Sequence, residues 1–393
     1  MNSKQLLILI VIGVVLGGAG LLVRRSQDSD FKASTTRMGD RVLGDFDLTA
    51  VAGLRISSGS NSPVEILKKD NDWIVPARGG YSANFQSVGE FARKLWELKV
   101  TAPKNISQSR LPILQLTKET GTTVELLDSA GKPIKSVILG IKHTKEGGDS
   151  SPFGGGGGFP DGRYIKAGDA VALVNDPLSN ADSKASEWIN KDFFKVEKAK
   201  SVSVKHLVDT NSFSLTRDSD VGEWKLEGAR AEEKIDSGKS SGFSSVLSYP
   251  SFNDLILDKK PEELGLHKPT VATVTTTEGF KYTVNIGTAD GENYPLTLAV
   301  TGDFKREREP GKEEKPEDKE KLDKEFKEKL TKLDEKLKSE QALGKWTYQV
   351  SKWTVDQLLK NRHELFADKK TEEPGDTPRP GGSPLNLPFP NDK

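Results

Sequence analysis

From about residue 45 onward, apolar and polar residues alternate in short runs broken by Gly, Ser, Asn and Asp, the pattern of half-buried strands joined by turns. Residues 53–57 (GLRIS), 63–67 (PVEIL) and 72–75 (DWIV) are three such strands. A helix over 84–98 follows, with Val88, Phe91, Leu95 and Leu98 at helical spacing. Further strands are predicted at 122–128, 134–141, 163–167 and 170–174. A closing helix is predicted over 177–194, opened by Asp176-Pro177 and carrying Trp188 on its apolar face.

The order then recurs. Residues 201–206, 212–217 and 223–226 read as opening strands and 240–256 as a helix. Strands at 270–277, 280–287, 294–300 and 346–351 lead to a last helix at 354–366. Trp73 falls opposite Trp224, Val124 opposite Thr273 and Gly140 opposite Gly287, at nearly constant spacing. A period of this length is too long for a solenoid, so the expectation is two tandem, duplicated α+β domains with antiparallel sheets, at 45–195 and 196–369. The paired tryptophans are expected to be core residues.

One run breaks the pattern. Residues 6–23 (LLILIVIGVVLGGAGLLV) are uncharged and mostly apolar, including Leu6, Ile10, Val14, Leu22 and Val23. At about 1.5 Å per residue such a run just crosses a bilayer core of about 30 Å as one helix. Gly18-Ala19-Gly20 weakly resembles a signal-peptide cut site, but Leu21-Leu22-Val23 carry the run past it. Residues 1–25 are therefore expected to be an uncleaved, single-pass anchor in the lipid bilayer, with 26–44 as linker. Arg24 and Arg25 outnumber Lys4, which read literally places the body in the cytoplasm. Long downstream domains translocate largely regardless of such charges, so a periplasmic, extracytoplasmic body is expected.

Two excursions interrupt the strands. Residues 146–162 form a glycine-rich loop flanked by Phe153 and Phe159, with no Gly-Lys-Ser/Thr after it to cradle a phosphate. The Gly238-Lys239-Ser240 triplet also fails as a phosphate loop, because Glu233 stands where its first glycine belongs. Residues 303–344 hold a charged helix predicted from Pro316 to Leu343. Leu322, Phe326, Leu330, Leu333 and Leu337 form one narrow stripe on it, a candidate contact for a protein partner if it does not fold back on its own domain. Acid-to-lysine pairs four apart, such as Glu320–Lys324 and Asp334–Lys338, should support it by about 0.2–0.5 kcal/mol each. Residues 370–393 are rich in Pro and Gly and are expected to be disordered or extended, with Leu385, Leu387 and Phe389 a candidate peptide ligand.

Composition removes several function classes. Lys plus Arg equals Asp plus Glu at 58 each, so no basic excess draws nucleic acid. The chain has no cysteine, hence no disulfide, thiolate nucleophile or Cys-based zinc site. His143, His206, His267 and His363 are scattered, and no G-x-S-x-G elbow occurs. No catalytic, metal or cofactor set is therefore predicted, and the chain is expected not to be an enzyme.

The Trp strand, the helix, Leu264-Gly265-Leu266-His267-Lys268-Pro269 and the following strand pair ending in Gly287 resemble the DUF4340 family. Trp73-Ile74-Val75-Pro76 fits the same pattern in the first half, where the L-G-L-x-x-P step is missing. The resemblance implies a chain held by one N-terminal helix and encoded beside ABC-type transporter components like those of gliding motility. The expected role is a non-enzymatic accessory or scaffold subunit of an envelope membrane complex. The alternative is a module binding a glycan or small molecule in the crevice between the two halves.

Overall fold

The structure, a computed structural model, describes residues 36–59, 61–144, 159–181, 183–230, 233–310 and 314–367. The apolar run 6–23, most of the glycine-rich loop and the tail 370–393 lie outside them. Among the described residues no helix is long and apolar enough to cross a membrane.

The chain is α+β, with two antiparallel sheets. The first contains β1 (Gly53–Ser58), β2 (Val64–Lys69), β3 (Asp72–Val75), β4 (Tyr81–Ser82), β5 (Val100–Lys104), β6 (Thr122–Leu127), β7 (Pro133–Thr144), β8 (Pro160–Ala167) and β9 (Ala170–Val174). Its order is β4-β3-β2-β1-β6-β7-β8-β9-β5. The second contains β10 (Ala199–Lys205), β11 (Phe213–Thr216), β12 (Lys225–Leu226), β13 (Asp254–Leu255), β14 (Thr270–Thr276), β15 (Phe280–Ile286), β16 (Asn293–Gly302) and β17 (Tyr348–Ser351). Its order is β12-β11-β10-β14-β15-β16-β17-β13, the same path without the first sheet's two-residue edge strand.

Register follows the alternation. Leu54 and Ile56 are buried opposite Leu126 and Val124, as Val202 and Val204 are buried opposite Val274 and Ala272. Val124 stands opposite Ile56 as Ala272 stands opposite Val204, one place from Thr273, which points to the other face of its strand. The strand-end glycines share an environment. A Cβ on Gly140 would stand 2.3 Å from the Leu114 carbonyl oxygen, and one on Gly287 2.1 Å from that of Leu264. Ile141 N–H and Thr288 N–H donate to those same carbonyls, at 3.0 and 2.9 Å. Leu114-Gln115-Leu116 stands to Gly140 as Leu264-Gly265-Leu266 stands to Gly287, with Gln115 at φ 55° and Gly265 at φ 68°.

Four helices are described: α1 (Phe85–Glu97), α2 (Ser237–Ser241), α3 (Pro316–Ala342) and α4 (Lys352–Leu359). Helix α1 is capped by Asn84, which accepts from Ser87 N–H, and buries Val88, Phe91 and Leu95 as its spacing predicts. The predicted helix over 177–194 does not form. Asp176 accepts from Leu178 N–H at 2.7 Å and Leu178 turns to φ 45°, which ends any helical start. The segment runs on to a bridge between Ile189 and Ala83, with Trp188 buried under α1 against Phe91. The predicted 240–256 helix shrinks to α2 and one 3-10 turn at Gly242–Ser245, because this Gly- and Ser-rich stretch reaches Leu247 at φ 53° and then Pro250. The last helix stops at Leu359, and Asn361 and Glu364 cap a separate 3-10 turn at Arg362–Leu365.

Each sheet closes in the same way. Asn84 N–H donates to Trp188 O beside the Ala83–Ile189 bridge. Asp236 N–H donates to Leu365 O beside an Ile235–Phe366 bridge. In both cases the residue held is the N-cap of the following helix.

Candidate functional site

Helix α3 forms over the predicted span, with Pro316 in its first turn, and is inserted between β16 and β17. The C-terminal half of its stripe is spent on its own fold. Leu330, Leu333 and Leu337 pack against the core, and Leu337 lies beside Gly302 at the end of β16. Phe326 lines a surface hollow with Phe304, Lys329 and Leu330. Leu322 and Phe326 stay half-buried and are not part of the packed core.

The expected acid-to-lysine ladder is largely replaced. Asp323 and Asp334 turn to Arg308 and Arg306 at 2.7 and 2.8 Å, and Lys329 turns to Glu278. Arg308 also binds Glu314, so this guanidinium is held more strongly protonated than usual by two carboxylates. Among the described residues the ion pairs along the helix itself, Lys321–Glu325, Lys324–Glu328 and Lys336–Glu340, run lysine first and are long, at 3.9, 4.0 and 3.9 Å. An arginine fork offers a carboxylate paired donors that a neighbouring lysine cannot match.

The helix ends in a buried carboxylate. Glu340 is 5% exposed; its Oε1 accepts from Lys195 N–H at 2.9 Å and its Oε2 from the Tyr282 hydroxyl at 2.8 Å. Burial raises the Glu340 carboxyl above its ordinary value and raises the Tyr282 phenol as well. Nearby, hydrogen bonds from Lys195 and Lys336 lower Glu197 to about 2. Glu340 thus locks the inserted helix to the segment that joins the two sheets.

The sheets meet along an aromatic seam. Tyr81 of the first sheet stands edge-on to Trp346 at 5.1 Å and to Phe252 at 6.1 Å. Phe193 from the joining segment meets Phe252 at 5.0 Å and Tyr348 at 4.6 Å. The Arg78 guanidinium forks onto both Asp254 oxygens at 2.6 and 2.7 Å. Gly79, at φ 65°, lies so close to the Trp346 ring that a Cβ there would come within 3.0 Å. A cleft of about 530 Å³ opens on this seam, walled by Tyr81, Phe193 and Trp346, with Asn190, Asp192 and Glu340 among its polar groups.

Residues 73–269 match the family described as "Domain of unknown function (DUF4340)". That span is half of the chain. The chain belongs to the DUF4340 family. No curated protein and no solved structure matches it.

The DUF4340 match begins at Trp73 in β3 and ends at Pro269, just before β14. Helix α3, Glu340 and Trp346 lie outside it. Among the described residues no cluster of three or more His, Asp or Glu side chains is placed to hold a metal. His143 lies 2.7 Å from Asp161, and His206 contacts the Lys360 carbonyl, in separate parts of the fold. The seam residues gave no local signal in the sequence. Tyr81, Phe193, Phe252 and Trp346 come from four distant segments, and only the fold brings them together.

Proposed function

We propose that this chain is a non-enzymatic accessory or scaffold subunit of a cell-envelope membrane complex, one built around an ABC-type transporter. In this reading residues 6–23 hold it in the bilayer and the body stands on the extracytoplasmic side. The two sheets are one fold used twice; their common strand order, closing bridges and Leu-x-Leu turns support that reading. The observation that carries the role is helix α3, 27 residues long, of whose stripe only Leu330, Leu333 and Leu337 pack against the core. Its first half, with Leu322 and Phe326 among alternating charges, is offered to an amphipathic helix of a partner subunit.

The test is cross-linking in intact cells from positions near Leu322, followed by detergent purification of the full-length protein and mass spectrometry. Recovery of permease or ATPase subunits, lost in Leu322→Glu/Phe326→Glu, is the expected result. Recovery of the protein alone would sink the reading. Leu330 and Leu333 are unsuitable for this test, because charge there disrupts the protein's own packing.

A second reading has the seam cleft bind a glycan or small molecule. Its support is the cleft itself, where three aromatic walls meet Asn190 and Asp192. Titration of the full-length protein with envelope glycan fragments, with Trp346→Ala as control, decides it. Equal response of both proteins removes the cleft from consideration.

A further inference from the structure

A second aromatic groove, sharing no lining residue with the seam cleft, lies between helix α4 and residues 242–250. Helix α4 sets Trp353, Asp356 and Gln357 at i, i+3 and i+4, one face of a helix. Facing it, residues 242–250 pass through the Gly242–Ser245 turn and end in Tyr249-Pro250. The hollow between them is about 240 Å³. Trp353 and Tyr249 are each 75% exposed, although their neighbours Thr354, Val355, Val246 and Leu247 are buried. The walls are fixed: Thr354 Oγ1 donates to Ser251 O at 3.2 Å, and the Lys195 ammonium sits 5.2 Å from the Tyr249 ring centre. Gln357 packs its amide over Gly242, and its Oε1 is a buried acceptor with no donor among the described residues.

Two exposed rings lining one hollow with Ser245, Ser248 and Gln357 suit a proline-rich strand in the polyproline II form. Such a strand lays its rings against aromatic walls and is already ordered before binding. The chain carries a proline-rich sequence itself. After Ala367 it reads DKKTEEPGDTPRPGGSPLNLPFPNDK, with Pro378-Arg379-Pro380 at its centre. The last described residues lie against the start of α2, which runs on into the groove wall: Ala367 N–H donates to Lys234 O, and Lys239 Nζ donates to Phe366 O at 2.9 Å. Lys239 lies three positions before Gly242 in the groove wall. The eleven residues from 368 to 378 span about 34 Å when extended at about 3.1 Å each, ample for that gap. Asp356 supplies the one carboxylate among the groove residues, and Arg379 supplies the cation between two prolines.

We propose that residues 374–390 of the same chain dock in the Trp353–Tyr249 groove, with Arg379 against Asp356. This stands independently of the partner role given to α3.

The natural chain has no cysteine, so introduced cysteines are the only labelling sites. Nitroxides at Lys352→Cys and Gly382→Cys in the full-length, detergent-solubilised protein report the separation by pulsed electron spin resonance. A narrow, short component is expected, and it is lost in Trp353→Ala while the circular-dichroism melt stays in place. Asp356→Lys should weaken the same component. A broad distribution that Trp353→Ala does not alter overturns the proposal. So does equal coupling in a mixture of singly labelled proteins, which would seat the tail in another copy.

Discussion

At Gln115 the backbone enters the left-handed region with a side chain that disfavours it, while Gly265 makes the same turn freely. Gln115→Gly is expected to be neutral or stabilising by up to about 1 kcal/mol. Gly265→Ala places a Cβ 2.1 Å from Thr288 Oγ1 and 2.8 Å from its amide nitrogen. It should cost about 2 kcal/mol or more, read from urea midpoints. This likeness is hidden in the sequence because the two turns share a backbone angle and not a glycine. Glu340 gives a pH prediction. Its folded value is raised, so the folded chain holds that proton more tightly than the unfolded chain does. The contribution is complete below the ordinary value of 4.5 and is lost as pH rises through the folded value. Glu197 acts in the opposite sense and lower down, its contribution fading as pH falls from 4.5 toward about 2. Glu340→Gln keeps both contacts if its amide donates to the Tyr282 oxygen, whose proton then goes to Lys195 O at 3.1 Å. Urea midpoints at about pH 5 and about pH 8 should therefore fall less in Glu340→Gln than in the natural protein. An equal fall in both would show that Glu340 does not carry the dependence.

Among the elements, the strands were the most legible, because period-two burial fixes both face and register. Helix α1 was equally plain: all four of its predicted apolar positions are buried. The segment 177–194 misled because Trp188 reads as the face of a helix, whereas a turn at Leu178 and a bridge at Ile189 bury it without one. Strands β5 and β13 escaped notice because each is short and edge-placed, with its pairing decided by distant β9 and β17. For α3 the stripe was readable, but the side it faces was not. Leu337→Ala and Leu333→Ala should each cost about 1–2 kcal/mol, below the range for fully buried leucines because both are half-exposed. Leu322→Ala should stay within about 0.5 kcal/mol. Equal losses along the stripe in chemical denaturation would contradict this division of the helix.

For the molecule as a whole, the seam decides how it unfolds. Tyr348 is fully buried and is shared among Tyr81, Phe193 and Phe252, so neither sheet keeps its own aromatic contacts once the other opens. Differential scanning calorimetry of the body is expected to show one transition. Tyr348→Ala should lower it by an amount corresponding to about 3–5 kcal/mol or split it in two. Two resolved transitions in the natural protein would mean that the seam couples the halves only weakly. None of this was legible in the sequence, where the period suggested two bodies and nothing marked the four segments that join them.

The hairpin between β8 and β9 turns within Gly168-Asp169, and its counterpart between β16 and β17 holds all of α3. Length at that hairpin would be freely variable if the insert stood clear of the fold. It does not, since Glu340 satisfies both the Tyr282 hydroxyl and the Lys195 amide. A shortened loop therefore leaves the Lys195 amide without its acceptor and the Tyr282 hydroxyl with the Lys195 carbonyl alone at 3.1 Å, so the joining segment must re-pair before the helix can be dropped. The order of change matters, and the inserted arm has become entrenched: it is easier to lengthen or to edit at its outer end than to remove.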